Sequence, residues 1–189
     1  MTTNERIKLS KKKFKTKNNV DESLDLLDYS LECYNNCTPQ SYGSKIEKKV
    51  KMLYNFKKIK KKLGQGDLKV CEKTILDKFP FLKENDRLEF KVSFLSGEKN
   101  QLSYNFIQIR PHEEFEYYLF MAIDLDYSDE DVNVEWYVVK KNDINDNNFK
   151  LNIIHGNKKN TENNQNVEYK LHVTKNSEQH QKLKELNLL

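Results

Sequence analysis

Three strongly apolar segments of strand length, 88–95, 117–125 and 132–139, stand out in a chain that is otherwise polar. With 37% apolar and 33% charged residues over 189 positions, a core has to be assembled from those few stretches. None approaches the roughly 18 unbroken apolar residues of a membrane span, and the length suits one domain with a real core rather than two large ones. LEFKVSF, 88–94, alternates strictly. Leu88, Phe90, Val92 and Phe94 share one face and Glu89, Lys91 and Ser93 the other, the pattern of a half-buried strand. Its polar face therefore carries a carboxylate and an ammonium two residues apart.

The rest of the chain organises around that strand. Residues 1–20 are basic and read as a flexible arm. Residues 21–34 place Leu24, Leu27, Leu31 and Tyr34 on one helical face, with acids in the first turn where the helix dipole favours them. NNCTPQSYG breaks that helix. A second helix is expected over 44–56, opened by Ser44 and Glu47 in a capping-box arrangement and striped by Ile46, Val50 and Leu53. Glycines at 64 and 66 mark a turn into a short strand at 67–71, and 72–86 reads as an insertion with a helical turn or two ended by Pro80. Pro111 can open a short helix. Further strands are expected at 116–125 and 134–140, separated by the acidic loop YSDED. Beyond Lys141, Asn-rich loops surround two strand-like pieces, LNII and VEYKLHV, before a last helix near 178–186; this region is either a ragged appendage or a recognition element.

Charge is unevenly placed behind a net +4. Nine lysines face one acid, Glu47, between positions 45 and 62, whereas 111–139 holds nine acids and no Lys or Arg. A lysine-dense segment can neutralise phosphates without sequence choice, although such a run also describes an ordinary solvated face. The opening MTTNERIKLSKKKFK has no apolar run of signal-peptide length, so a cytoplasmic protein with no membrane partner is expected. Cys33, Cys37 and Cys71 fall short of a four-ligand zinc set, the nearest histidine to the first two being His112, and read as reduced thiols.

If the strand at 67–71 neighbours the one at 88–94, Asp67 and Glu89 can meet at one end of a sheet. Two carboxylates there form a hard-oxygen site suited to Mg²⁺, with the main-chain carbonyl of Phe90 as a further ligand. An amine beside it, Lys91, can hold and polarise an attacking water and offset charge on a phosphorane. That set suits phosphodiester hydrolysis. A surface salt bridge between Glu89 or Lys91 and a cross-strand neighbour is the plainer alternative.

Asp67 followed by Glu89-Phe90-Lys91 resembles the PD-(D/E)xK nuclease motif, with Gly66 where proline often stands. NFIQIRPHEEFEYYLF, 105–120, looks like the segment after the E-x-K strand in a group of compact type II restriction endonucleases, and SYGSKIEKKV, 41–50, resembles the helix before their catalytic Asp. The likeness spans roughly residues 41 to 140. It implies an α/β fold with a central mixed β-sheet flanked by helices, a restriction-endonuclease-like core over 21–140, and a helix between the E-x-K strand and the strands that follow. It also implies Asp67 and Glu89 as metal ligands, Lys91 as the catalytic lysine and Mg²⁺ as the cofactor. Glu47 matches an acid that some members place near the metal, and reads equally as the far end of its capping box. Gln108 and Arg110 match the Asn-Phe-x-Gln-Ile-Arg-Pro run, with a role in phosphate contact or in structure.

The C-terminal region, 141–189, is the candidate DNA-recognition element, with Asn157, Lys158 and Lys159 in its loop; the same residues also describe a plain hydrophilic loop. The function expected is sequence-specific cleavage of double-stranded DNA to 5′-phosphate and 3′-hydroxyl ends, the end polarity coming from the resemblance. Cutting both strands with one site per chain implies a homodimer, and a restriction role brings a DNA methyltransferase acting on the same site. A junction-resolvase-like repair nuclease and a non-catalytic nucleic-acid-binding protein are the alternatives.

Overall fold

The computed structural model describes residues 22–59, 65–98, 101–126, 131–144, 151, 153–155 and 168–189. The basic arm at 1–20 and the loop residues Asn157, Lys158 and Lys159 lie outside them. Helices α1 (Glu22–Asn36) and α2 (Pro39–Leu53) come first, followed by strands β1 (Lys57–Lys58), β2 (Leu68–Lys69), β3 (Arg87–Phe94), β4 (Ser103–Ile109), β5 (Tyr117–Asp126) and β6 (Asp131–Lys140). Strands β7 (Ile153–His155) and β8 (Tyr169–Thr174) and helix α3 (Glu178–Glu185) complete the described chain. One sheet runs β1-β2-β3-β5-β6, with β3 and β5 parallel and the other pairs antiparallel; a second, antiparallel sheet runs β4-β8-β7. The architecture is mixed α/β. Among the described residues, no helix is long and apolar enough to cross a membrane.

Both faces of the five-stranded sheet are covered, which explains why β5 reads as a nearly unbroken apolar run. On the first face Leu119, Met121 and Ile123 join Leu88 and Phe90 of β3 beneath Leu27 and Leu31 of α1 and Ile46 and Val50 of α2. Alternation sends Tyr118, Phe120 and Ala122 to the second face, under Tyr104 and Phe106 of β4, Leu171 and Val173 of β8 and Leu183 of α3. The pieces at 168–189 are therefore part of the packed core. The half-buried strand expected at 88–94 is enclosed on both sides, and Glu89 and Ser93 are only 4% and 3% exposed.

Several boundaries differ from the sequence expectation. Helix α2 starts at Pro39, with Thr38 extended before it, because proline's missing N–H is harmless at a first helical position. Ser44 and Glu47 thus sit inside the helix and form no capping box; the Ser44 hydroxyl bonds the Ser41 carbonyl instead. No helix forms around 72–86 or after Pro111. In its place, 70–86 folds back on itself. The Val70 N–H donates to the Asp86 carbonyl at 2.9 Å and the Asn85 N–H to the Val70 carbonyl at 3.1 Å, while Phe79 and Leu82 anchor the loop in the first core. The crossover from β3 to parallel β5 runs through β4 rather than a helix, so helices cover one face and a sheet with α3 covers the other.

Helix α3 is tied to the sheet by a buried polar chain. The Ser177 hydroxyl caps it by accepting the His180 N–H, and Asn176 N–H donates to His180 Nδ1 at 3.0 Å. That leaves the His180 proton on Nε2, 3.0 Å from the Tyr137 hydroxyl, which in turn donates to Glu135. Burial holds the His180 pKa below its ordinary value, in keeping with a neutral ring.

The entry to β2 depends on Gly66. Its φ is +74°, and a Cβ there would lie 3.0 Å from the Leu88 carbonyl oxygen and 3.2 Å from the Phe115 Cβ. Proline, fixed near −65°, cannot occupy this position. Gly43, inside α2, has open space around it. Urea unfolding should separate the two: Gly66→Ala is expected to lose about 1–3 kcal/mol, whereas Gly43→Ala should gain up to about 1 kcal/mol. A neutral Gly66→Ala would contradict the strained entry.

Candidate active site

The β2–β3 register brings two of the sequence-selected acids together. Leu68 pairs with Leu88 at the end of the ladder, and just beyond it Asp67, at the entry to β2, lies close enough to Glu89 for their charges to interact. Two bonds hold Asp67 in place: its N–H donates to the Leu88 carbonyl at 2.9 Å, and its side-chain Oδ2 accepts the Phe90 N–H at 3.2 Å. The Phe90 carbonyl points to the same side of β3 as its N–H, toward Asp67. Lys91 follows on the Glu89 face, its Nζ 2.5 Å from Glu89 Oε1. The two side chains are only 12% and 5% exposed, so this is a buried ion pair and not a surface bridge.

Enclosure changes what the pair means. Removing both charges from water costs more than a solvated bridge returns, so such a pair is a poor device for stability and a better pointer to chemistry. Burial pushes the Glu89 carboxyl up to about 7; Lys91 opposes the shift, and the charges of Asp67 and Glu113 add to it. Glu47 is also held above its ordinary value, first by burial and then by Asp67, against the pull of Lys51 and Lys91. Its carboxylate is already engaged by Lys51 at 2.9 Å. The charge of Asp67 thus bears on both Glu47 of α2 and Glu89 of β3.

The remaining candidates lie close to this group or beyond description. Arg110 senses Glu89, but its guanidinium is bound by Glu168 at 2.6 Å and by Glu113 at 3.3 Å, so its charge is already matched. Gln108 is exposed, with φ +57°, at a bulge where β4 slips against β8 between Phe106 and Ile109. The run NFIQIR therefore encodes a bend, which re-aims the side chains that follow it.

One neighbour escaped the sequence reading. Tyr118 lies directly across from Glu89 on β5, and its hydroxyl is fully buried with no well-formed hydrogen bond. The Arg110 backbone comes close enough to lower its pKa a little, yet burial, then Glu89, drives that pKa far up. Only the parallel register exposes this contact; nothing in YYLF marks it.

The donor chemistry fits Mg²⁺. Two carboxylates and a main-chain carbonyl are hard oxygens, and this cation takes one or two carboxylates with water and phosphate completing the shell. Among the described residues no three His, Cys, Asp or Glu side chains are grouped to hold a metal, so Asp67 and Glu89 would supply the side-chain ligands without Glu47. The chain matches no known protein family, curated protein or solved structure.

The raised Glu89 pKa has a definite sign. The folded protein keeps a proton on Glu89 that the unfolded chain releases near 4.5, so this group's contribution to stability falls as pH rises from about 4.5 to about 7. Carbon-detected NMR titration of the metal-free protein should place its midpoint near 7. In Lys91→Met that midpoint should move higher, because Lys91 is the charge that lowers it. A midpoint near 4.5 in both proteins would contradict the enclosed pair.

Proposed function

We propose that the chain is a Mg²⁺-dependent endonuclease of the type II restriction kind, hydrolysing phosphodiester bonds in double-stranded DNA to 5′-phosphate and 3′-hydroxyl ends. The observation that carries the reading is buried Glu89 bonded to Lys91 on β3, with half-buried Asp67 beside it at the entry to β2, charged groups gathered where a stable core would be apolar. A mixed sheet with α2 packed against β3 is what a restriction-endonuclease-like core requires, and the sheet over its second face is where this chain departs from that pattern.

Each residue has a separable task. Asp67 and Glu89 would hold Mg²⁺ together with the Phe90 carbonyl. Bound there, the ion supplies Lewis-acid polarisation of a phosphate oxygen and a nucleophilic water. The Lys91 ammonium orients the attacking water and offsets the negative charge that gathers on phosphorus. It also relieves repulsion between the two acids. Enclosure of the group strengthens these electrostatic effects by excluding bulk water. Two copies, each cutting one strand, would complete a double-strand break.

Purified protein incubated with long unmethylated duplex DNA should give discrete fragments with Mg²⁺ and none with EDTA. Lys91→Ala should cut at least about 100-fold more slowly while keeping the wild-type circular dichroism spectrum. Equal cutting by the variant, or no cutting of linear and branched DNA by a protein that still binds both, would overturn the reading.

A further inference from the structure

A row of cations lies beside the row of acids. Lys57 of β1 pairs with Lys69 of β2, and Lys69 pairs with Arg87 of β3, so three basic residues stand in line across three strands. Directly opposed residues of antiparallel strands point to the same face. Arg87 lies two residues from Glu89 on β3 and Lys69 is directly opposed to Arg87, so alternation puts the cations on the face that carries Glu89. The rows are separated by two residues of strand, about 6–7 Å.

Among the described residues this line is only weakly balanced. Among the described residues neither Lys57 nor Lys69 has an ion-pair partner, and Lys57 is exposed. Arg87 makes one loose contact, 3.9 Å to a Glu114 side chain that is 78% exposed, an arrangement that adds little. Just before β5, Glu116 accepts the Arg87 main-chain N–H with its carboxylate rather than the guanidinium. Like charges stacked across strands destabilise a sheet unless an anion of matching spacing joins them. With strands about 4.8 Å apart, the outer cations stand about 10 Å apart, a span that covers two to three phosphates of one DNA strand.

We infer that Lys57, Lys69 and Arg87 form a phosphate-binding row that seats the backbone of a duplex DNA strand alongside Asp67 and Glu89. The choice of DNA as partner rests on the nuclease reading; the row itself rests on the register. Lysine density marked the region around Lys57 in the sequence, but neither Lys69 nor Arg87 belongs to that run.

The test is the salt dependence of duplex binding in EDTA, where cleavage plays no part, followed by fluorescence anisotropy between 50 and 200 mM KCl. The double variant Lys57→Gln, Lys69→Gln removes no buried contact. Its slope of log affinity against log salt should be shallower than wild type by about 1.8, and adding Arg87→Gln should bring the loss to about 2.7, at about 0.9 per phosphate contact. Lys184→Gln, on the exposed side of α3, should leave the slope unchanged. An unchanged slope in the double variant, an equal change with Lys184→Gln, or no duplex binding by the wild type at 50 mM KCl would overturn the inference. Mg²⁺-dependent cutting with an unchanged slope would remove the row and leave the nuclease reading. Shallower slopes without cutting would do the reverse.

Discussion

Two hydrogen bonds from main-chain N–H groups, Asp67 N–H to the Leu88 carbonyl and Phe90 N–H to the Asp67 side-chain Oδ2, fix the register on which the rest of the site depends. They lie at the end of a ladder only two residues long, between strands separated by a 17-residue fold-back (70–86). Such a short ladder cannot hold its own register. It is held from outside by Val70 against Asp86, by Phe79 and Leu82 in the core, and by the tight turn at Gly66. A slip of one residue would take the Asp67 carboxylate away from the Phe90 N–H and from Glu89.

Burial then sets the chemistry. With both faces of the sheet covered, Glu89 and Lys91 lose the water that would make them an ordinary pair, and the balance between desolvation and attraction leaves the carboxyl only half ionised near neutral pH. A cation placed between Asp67 and Glu89 would relieve that repulsion, and this is the physical sense in which the site invites one. The buried Tyr118 hydroxyl one strand away, met only loosely by the Arg110 backbone, belongs to the same polar island. Beside the island, the Lys57–Lys69–Arg87 line gives the sheet edge the opposite sign. Acids and cations in adjacent rows match a metal-bearing centre next to a polyanion.

Much of this was legible in the sequence, for reasons that differ by element. Strands β5 and β6 were found within three residues at each end, because long apolar runs rich in β-branched and aromatic residues leave little choice. The triad itself could be picked from residue types and spacing. Helix α2 was entered five residues late because Ser44 and Glu47 imitate a cap, while the true start is set by Thr38 and Pro39. Period-two alternation in LEFKVSF could not reveal that a second sheet covers the polar side, since that cover comes from the separate strands β4 and β8. Tyr118 and the cation row were invisible for the same reason: both are products of strand register, which no local pattern records.

The central claim is that Asp67 and Glu89 hold one divalent cation between them. Crystals of the protein soaked in Mn²⁺, with anomalous diffraction measured at the manganese edge, test it most directly. The account predicts a single strong anomalous peak per chain, bounded by the Asp67 and Glu89 carboxylates and the Phe90 carbonyl. A well-ordered Asp67–Glu89–Lys91 group with no peak beside it, at a Mn²⁺ concentration that occupies other sites, would contradict it.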